Sequence, residues 1–450
     1  MPASPGYFVA RSAKRGHFVP LIAMLAASLA CSPLAMPALN HALATRPGTT
    51  SAPAATTRLK IISNLPMTGA SLADTQVIVN AEKLRLDQAH DQACGGRYSI
   101  DFESWDDSSM ARDDWDPAVE AANAHKAAAD PAVVAVLGPY NSDAAKLSIP
   151  ILNQAGGLVM ISPSNTYPGL TKTGLGAAGE PNLYYPSGAR NYARVVNTDE
   201  VQGAMAAHFL HDWLQVQTVF VLDDSEAYGQ STAAAFAAAA QQVGLKVVGR
   251  ASFHPADGTF IKLMGQIARS NAGHPPDALY AGMLYDDHSG QFLRDKAAVL
   301  GDNNQVKLIG PDGIQFSRLI TDAGAQASAG LYATLNGLPI GEMPPAGQAF
   351  YAAYARAYGP THNPYAVYGY EAMSVALQAI EAVCSAHGDP TNRAAVRGAV
   401  FSLKNVDDAL GHWSFDANGD TSLTDMTFYQ VIDGKFQIVA VIRATQIKVV

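Results

Sequence analysis

Cysteine is scarce in this chain of 450 residues: there are three, Cys31, Cys94 and Cys384. None has a neighbour at C-x-x-C spacing, which argues against zinc binding and dithiol redox chemistry. Positive charge is also short. Thirty Lys and Arg stand against 39 Asp and Glu, a formal net charge of -9, so no basic stripe is present to displace counterions and no nucleic-acid partner is expected. Beyond the N-terminal region no apolar run is long enough to cross a bilayer. Enzyme signatures are missing as well: there is no G-x-S-x-G elbow, no H-E-x-x-H and no Walker A sequence. Residues 174–179 spell G-x-G-x-x-G, but they follow no predicted strand and enter no predicted helix, so the dinucleotide reading fails in context. The twelve histidines are scattered; His208 and His211 read as helix surface. Residues 416–420 (DANGD) carry calcium-loop letters without the distal Glu and read as a turn. No catalytic residue, cofactor or metal site is expected.

What is present begins with an export signal. Arg11, Lys14 and Arg15 precede an apolar run at residues 20–30 that is too short to remain as a spanning helix. Residues 1–31 are read as this signal, with a loose lipobox placing a lipid on Cys31; Ala42-Leu43-Ala44 is the alternative cleavage site, giving a soluble product. Residues 32–58 are rich in Pro, Ala and Thr without periodicity and read as a flexible tether. The location is periplasmic or otherwise extracytoplasmic, with or without a lipid anchor. Cys94 and Cys384 are free to pair in an oxidising compartment, though sequence does not show them close.

From Leu59 onward the pattern is strand, loop, helix, repeated. Residues 98–103 alternate as a strand does, residues 133–137 (VVAVL) form a β-branched run suited to a buried parallel strand, and Asp116-Pro117 reads as an N-cap followed by proline at the first helical position. Asn197-x-x-Glu200 resembles a capping box opening a helix through Leu214. Asp433-Gly434 turns a terminal hairpin. Alternating β and α elements of this length imply α/β architecture with parallel sheets covered on both faces. A Gly/Pro-rich break near residues 172–197 divides two comparable blocks.

In such sheets ligands bind beyond the carboxyl ends of the strands. Five strand ends carry candidates. Tyr140, Asn141 and Ser142 precede a helix whose N-terminus suits an anion; the alternative is a simple N-cap. Asn165 and Thr166 offer a carbonyl, a hydroxyl and an N–H, or else an ordinary Ser/Pro turn. Tyr228 could cover a ligand. Leu284 and Tyr285 are wall candidates or core. Asp312, between Pro311 and Gly313, either counters an amino group or merely forms a turn. Together they make the inventory for a zwitterionic α-amino acid.

In order and spacing, residues 65–69 (LPMTG), 136–142 (VLGPYNS), 161–166 (ISPSNT), 191–195 (NYARV), Tyr228-Gly229, 310–313 (GPDG) and 413–416 (WSFD) followed by Gly419-Asp420 resemble the Leu/Ile/Val-binding protein family. These are type I periplasmic solute-binding proteins of branched-chain amino-acid ABC transporters. The resemblance covers about residues 59–442. It implies two doubly wound parallel-sheet lobes joined by three crossovers, lobe 1 at 59–196 plus 336–412 and lobe 2 at 197–335 plus 413–450. It implies that Ser142 and Thr166 hold a ligand carboxylate, that the Asn165 carbonyl and Asp312 hold the ammonium, and that Tyr228 closes over it. The partners implied are a small-molecule ligand, an amino acid by class, and the permease subunits of an ABC importer. Asp312 stands where leucine-type binders usually carry Glu, and the 70–72 loop lacks an aromatic often found there. The alternative on the same fold is a periplasmic sensor for an amide, urea or a small organic acid.

Overall fold

The computed structural model describes residues 57–254, 257–285 and 288–443. The signal segment, Cys31 and nearly all of the expected tether lie outside them; its last two residues, Thr57 and Arg58, open the first strand. The first β/α block comprises β1 (Thr57–Leu65), α1 (Leu72–Gln88), β2 (Gln92–Ala93), β3 (Tyr98–Asp106), β4 (Ser108–Ser109), β5 (Asp114–Trp115), α2 (Pro117–Ala129), β6 (Val133–Leu137), α3 (Ser142–Gln154), β7 (Val159–Ser162) and β8 (Tyr192–Arg194). The second comprises α4 (Asp199–His208), β9 (Thr218–Asp223), α5 (Ala227–Val243), β10 (Lys246–Ser252), α6 (Ile261–Ile267), β11 (Ala278–Gly282), α7 (Ser289–Leu300), β12 (Lys307–Gly310), α8 (Ser317–Ala323), α9 (Ala325–Ser328) and β13 (Tyr332–Asn336). The chain ends with α10 (Pro345–Tyr358), α11 (Tyr365–Ser385), α12 (Arg393–Phe401), β14 (Val406–Asp408), β15 (Gly411–Trp413), β16 (Met426–Ile432) and β17 (Lys435–Ile442).

Two separate sheets result. The first runs β2-β3-β1-β6-β7-β8 and is parallel except for β2. The second runs β10-β9-β11-β12-β13-β16-β17, parallel through β13, with β16 and β17 antiparallel at one edge. Strand β6 shows why the pattern works: all five residues of VVAVL are buried, as a parallel strand covered on both faces requires. The fold is thus α/β in two doubly wound lobes. The chain passes to the second sheet after β8, returns after β13, and crosses again before β16, three crossovers in all.

The crossover positions differ slightly from expectation. Asn336, expected to begin the return to lobe 1, still pairs with Met426 in the second sheet. Trp413, expected to open the final lobe 2 segment, is buried in the first core with its ring 4.8 Å from that of Phe415. Backbone pairing and ring burial outlast the sequence boundary in both cases. The capping box also does not form. Thr198 occupies the N-cap of α4 without a side-chain bond, and Glu200 pairs with Lys172 instead. Helix α4 gives way at His208 to a wider π turn over Phe209–Trp213. That turn sets Phe209 stacked on Phe428 at 4.4 Å, with Trp213 edge-on to the same ring at 6.4 Å. By contrast Asp116 caps α2 as its position suggests, accepting from the N–H groups of Ala118 at 2.8 Å and Val119 at 3.4 Å.

Cys94 and Cys384 form a disulfide, with their Cα atoms 5.9 Å apart. It ties the turn after β2 to the end of α11.

Candidate functional site

In each sheet the strand order reverses once, between β1 and β6 in the first and between β9 and β11 in the second. Side by side, the loops leaving the carboxyl ends of such strands open a crevice. Here the loops from both sheets face one cleft of about 420 Å³, a size suited to a small molecule. One lobe supplies Ala70, residues 112–115, residues 140–143, Ser164 and Tyr365; the other supplies Glu226, Tyr228, Leu284, His288, Asp312 and Gly313.

Asp312 is the most heavily supported group. It follows β12 and is 2% exposed. Its Oδ1 accepts from the Tyr228 hydroxyl at 2.6 Å and from Gln202 Nε2 at 2.8 Å, and its Oδ2 accepts from the Tyr365 hydroxyl. Burial, then the charge of Asp312, pushes both phenols well above their ordinary range, so both remain donors. A carboxylate offers about four acceptor positions; three are occupied, leaving one for a ligand donor. Gln202 is itself fixed by a second bond to Thr334 Oγ1 at 2.8 Å, and Tyr228 accepts from the Gly313 N–H at 2.9 Å. A Cβ at Gly313 would come within 2.7 Å of Leu284 and 2.9 Å of Tyr228, so glycine permits the close approach of these two walls.

Ser142 begins α3, and Asn141 is its N-cap but makes no side-chain capping bond. Asn141 is 8% exposed, and its Oδ1 has no hydrogen-bond partner among the described residues. The first turn of α3 therefore presents N–H groups and the positive dipole end to the cleft.

Six of the nine expected residues line this cleft: Tyr140, Asn141, Ser142, Tyr228, Leu284 and Asp312. Three do not. Asn165 is buried behind the wall as a structural pin: its Nδ2 donates to the Tyr140 carbonyl at 2.7 Å, its Oδ1 accepts from Tyr192 at 3.1 Å, and its carbonyl accepts from Arg194 at 3.2 Å. Thr166 is 1% exposed, and its carbonyl accepts the Asp199 N–H at 3.0 Å. Tyr285 turns its hydroxyl to Asp322 at 2.6 Å and borders a smaller neighbouring void.

Other lining groups carried no strand-end signal. Residues 112–115 arrive on the β4–β5 hairpin, an excursion between β3 and α2. Tyr365 comes from the start of α11, 53 residues beyond Asp312. Among the described residues, Tyr365 bonds Asp312 and the Ala227 N–H at the start of α5 donates to Asp143 Oδ2 at 3.0 Å, both contacts across the lobes.

Asp199 lies behind the site. Burial pushes its carboxyl up to about 7, with the Ser231 and Thr166 hydroxyls pulling downward and the charge of Asp312 pushing up. A carboxyl raised in the folded state favours folding most below its unfolded value near 4, and that contribution is lost as pH rises towards 7. Asp199→Asn, which does not titrate, is expected to flatten the decline in stability between pH 5 and 7. Denaturant midpoints measured across that range check this; parallel declines in the variant and the parent exclude it.

Two doubly wound lobes with a cleft lined from the strand ends of both define a bilobal ligand-binding protein. The chain belongs to the periplasmic binding protein family, whose pattern matches residues 59–435. It is 27% identical over 276 residues to the leucine-, isoleucine-, valine-, threonine- and alanine-binding protein of Pseudomonas aeruginosa, covering 61% of this chain and 65% of that one, just under two thirds of that relative's length. Its fold is similar to a leucine binding protein from Thermotoga maritima (TM-score 0.72, 23% identity, 86% of this chain and 100% of the other). It is also similar to a solute binding protein of an ABC transporter from Rhodopseudomonas palustris in complex with 3,4-dihydroxybenzoic acid (TM-score 0.67, 18% identity, 86% and 98%).

Proposed function

We propose that this protein captures an α-amino acid between its lobes, outside the cytoplasm, and delivers it to the permease of an ABC importer. The observation that carries the reading is Asp312, a buried carboxylate held by three donors with acceptor capacity left over, in the same cleft as the N-terminus of α3. The first suits an ammonium and the second a carboxylate. In this reading Ser142 meets the carboxylate, Asp312 meets the ammonium, and Tyr228 with Leu284 covers the side chain. Asn165 and Thr166 act by holding the loop that carries Ser164. The names of the related proteins support the class, and the disulfide suits an oxidising compartment.

A second reading is a small aromatic acid, as in the Rhodopseudomonas palustris complex. The aromatic side chains of Trp115, Tyr140 and Tyr365 on the wall favour it. A thermal-shift panel of L-amino acids and hydroxybenzoates separates the two. A ligand at a hundred times its dissociation constant adds about 2.7 kcal/mol of stability. A raised melting temperature with amino acids and none with the benzoates is the expected outcome. The reverse pattern sinks the amino-acid reading.

A further inference from the structure

The cleft carries far more negative charge than one ammonium needs. Five acidic side chains line it, Asp113, Asp114, Asp143, Glu226 and Asp312, against one guanidinium and one imidazole, Arg112 and His288. Arg112 is turned to its own hairpin: its Nε donates to the Trp115 carbonyl at 3.1 Å, and its guanidinium stands 5.7 Å from the centre of the Trp115 ring. Lys146 offsets Asp143 from behind at 3.0 Å. Even with Arg112, His288 and Lys146 all set against the five, acidic groups remain in excess, and a ligand carboxylate adds another. A cleft with one sign of charge and low-dielectric walls focuses that field on its occupant.

A separate observation also asks for a donor. Asn141 Oδ1 is a buried acceptor on the same wall without a hydrogen-bond partner among the described residues, and such a group is costly unless something donates to it. The edge-to-face pair of Tyr140 and Tyr365, with ring centres 5.9 Å apart, adds π surface that attracts cations.

The geometry points to a ligand with a second positive charge: a basic α-amino acid, whose side-chain cation is held by cleft carboxylates other than Asp312. This rests on the amino-acid reading above and narrows it. Acidic walls repel hydroxybenzoates and give no advantage to an aliphatic side chain.

The test is calorimetric titration of the full chain with L-arginine, L-lysine, L-leucine and 3,4-dihydroxybenzoate at low and at physiological salt. Arginine or lysine is expected to bind at least about tenfold tighter than leucine, with the advantage shrinking as salt rises. The Asp114→Asn, Glu226→Gln double variant is expected to weaken arginine and lysine binding at least about tenfold more than leucine binding. Leucine binding as tightly as both basic amino acids overturns this inference and leaves the amino-acid reading standing. Equal losses for leucine and arginine in the double variant also overturn it. Binding of the benzoate alone removes both.

Discussion

Asp312→Ala is expected to weaken binding of the cognate ligand at least a hundredfold, roughly 3 kcal/mol, the scale for truncating one partner of a buried hydrogen-bonded charge pair. The reasoning runs through the side chains around it. Tyr228, Tyr365 and Gln202 all donate to this one carboxylate, so removing it takes away the counter-charge for an ammonium and strands three donors in a buried site. Asp312→Asn separates these effects. The amide keeps an oxygen acceptor of similar shape but no charge, so the fold is retained while affinity still drops. Calorimetry with the ligand that gives the largest thermal shift, alongside circular dichroism, reads both. Parent-like affinity in a folded Asp312→Ala protein would falsify the assignment of the site.

The second large effect belongs to the crossovers. Arg194, at the end of β8, and Asp420, on the segment leading to β16, form a fully buried pair with Nε and Oδ1 2.7 Å apart. The guanidinium also donates to the carbonyls of Asn165 at 3.2 Å and Tyr167 at 2.8 Å and to the Thr171 hydroxyl, which in turn donates to Asp420 at 2.9 Å. Burial works to raise the Asp420 carboxyl, but the charges of Arg194 and Lys172 outweigh it and hold the group below its ordinary range. Arg194→Met leaves that carboxylate buried with its main partner gone, at a cost of about 3–5 kcal/mol. Adding Asp420→Leu is expected to restore part of the loss, because an apolar pair of similar volume often replaces a buried ion pair without penalty. Denaturant titration of the single and double variants gives the comparison. A single variant as stable as the parent rules out a stabilising role for the Arg194–Asp420 pair.

The fold was legible in the sequence because its strongest signals are local. The VVAVL run, the Asp116-Pro117 helix start and the Asp433-Gly434 turn each record a short-range constraint, and each sits where the pattern places it. The rule that ligands lie beyond strand ends led, for the same reason, to Ser142, Tyr228 and Asp312, which line the cleft. It missed what depends on distant packing. Tyr365 starts a long helix, and residues 112–115 ride on a small hairpin, so neither is marked by a strand end. The rule also brought in Asn165, which follows a strand as a binding residue would but spends its polar atoms on Tyr140, Tyr192 and Arg194, and Thr166, whose carbonyl is taken by Asp199. The Asn197–Glu200 capping pattern did not form because α4 starts one residue later, with Thr198 at its N-cap, and Glu200 pairs with Lys172.

Both half-cystines sit on elements that pack against the first sheet, Cys94 beside β2 and Cys384 near the end of α11. The covalent bond therefore staples one half of the molecule to itself and bridges nothing across the mouth. Any rotation of the halves about the crossovers would leave it unstretched, so thiol reagents able to reach it would loosen that half without locking or unlocking the jaws.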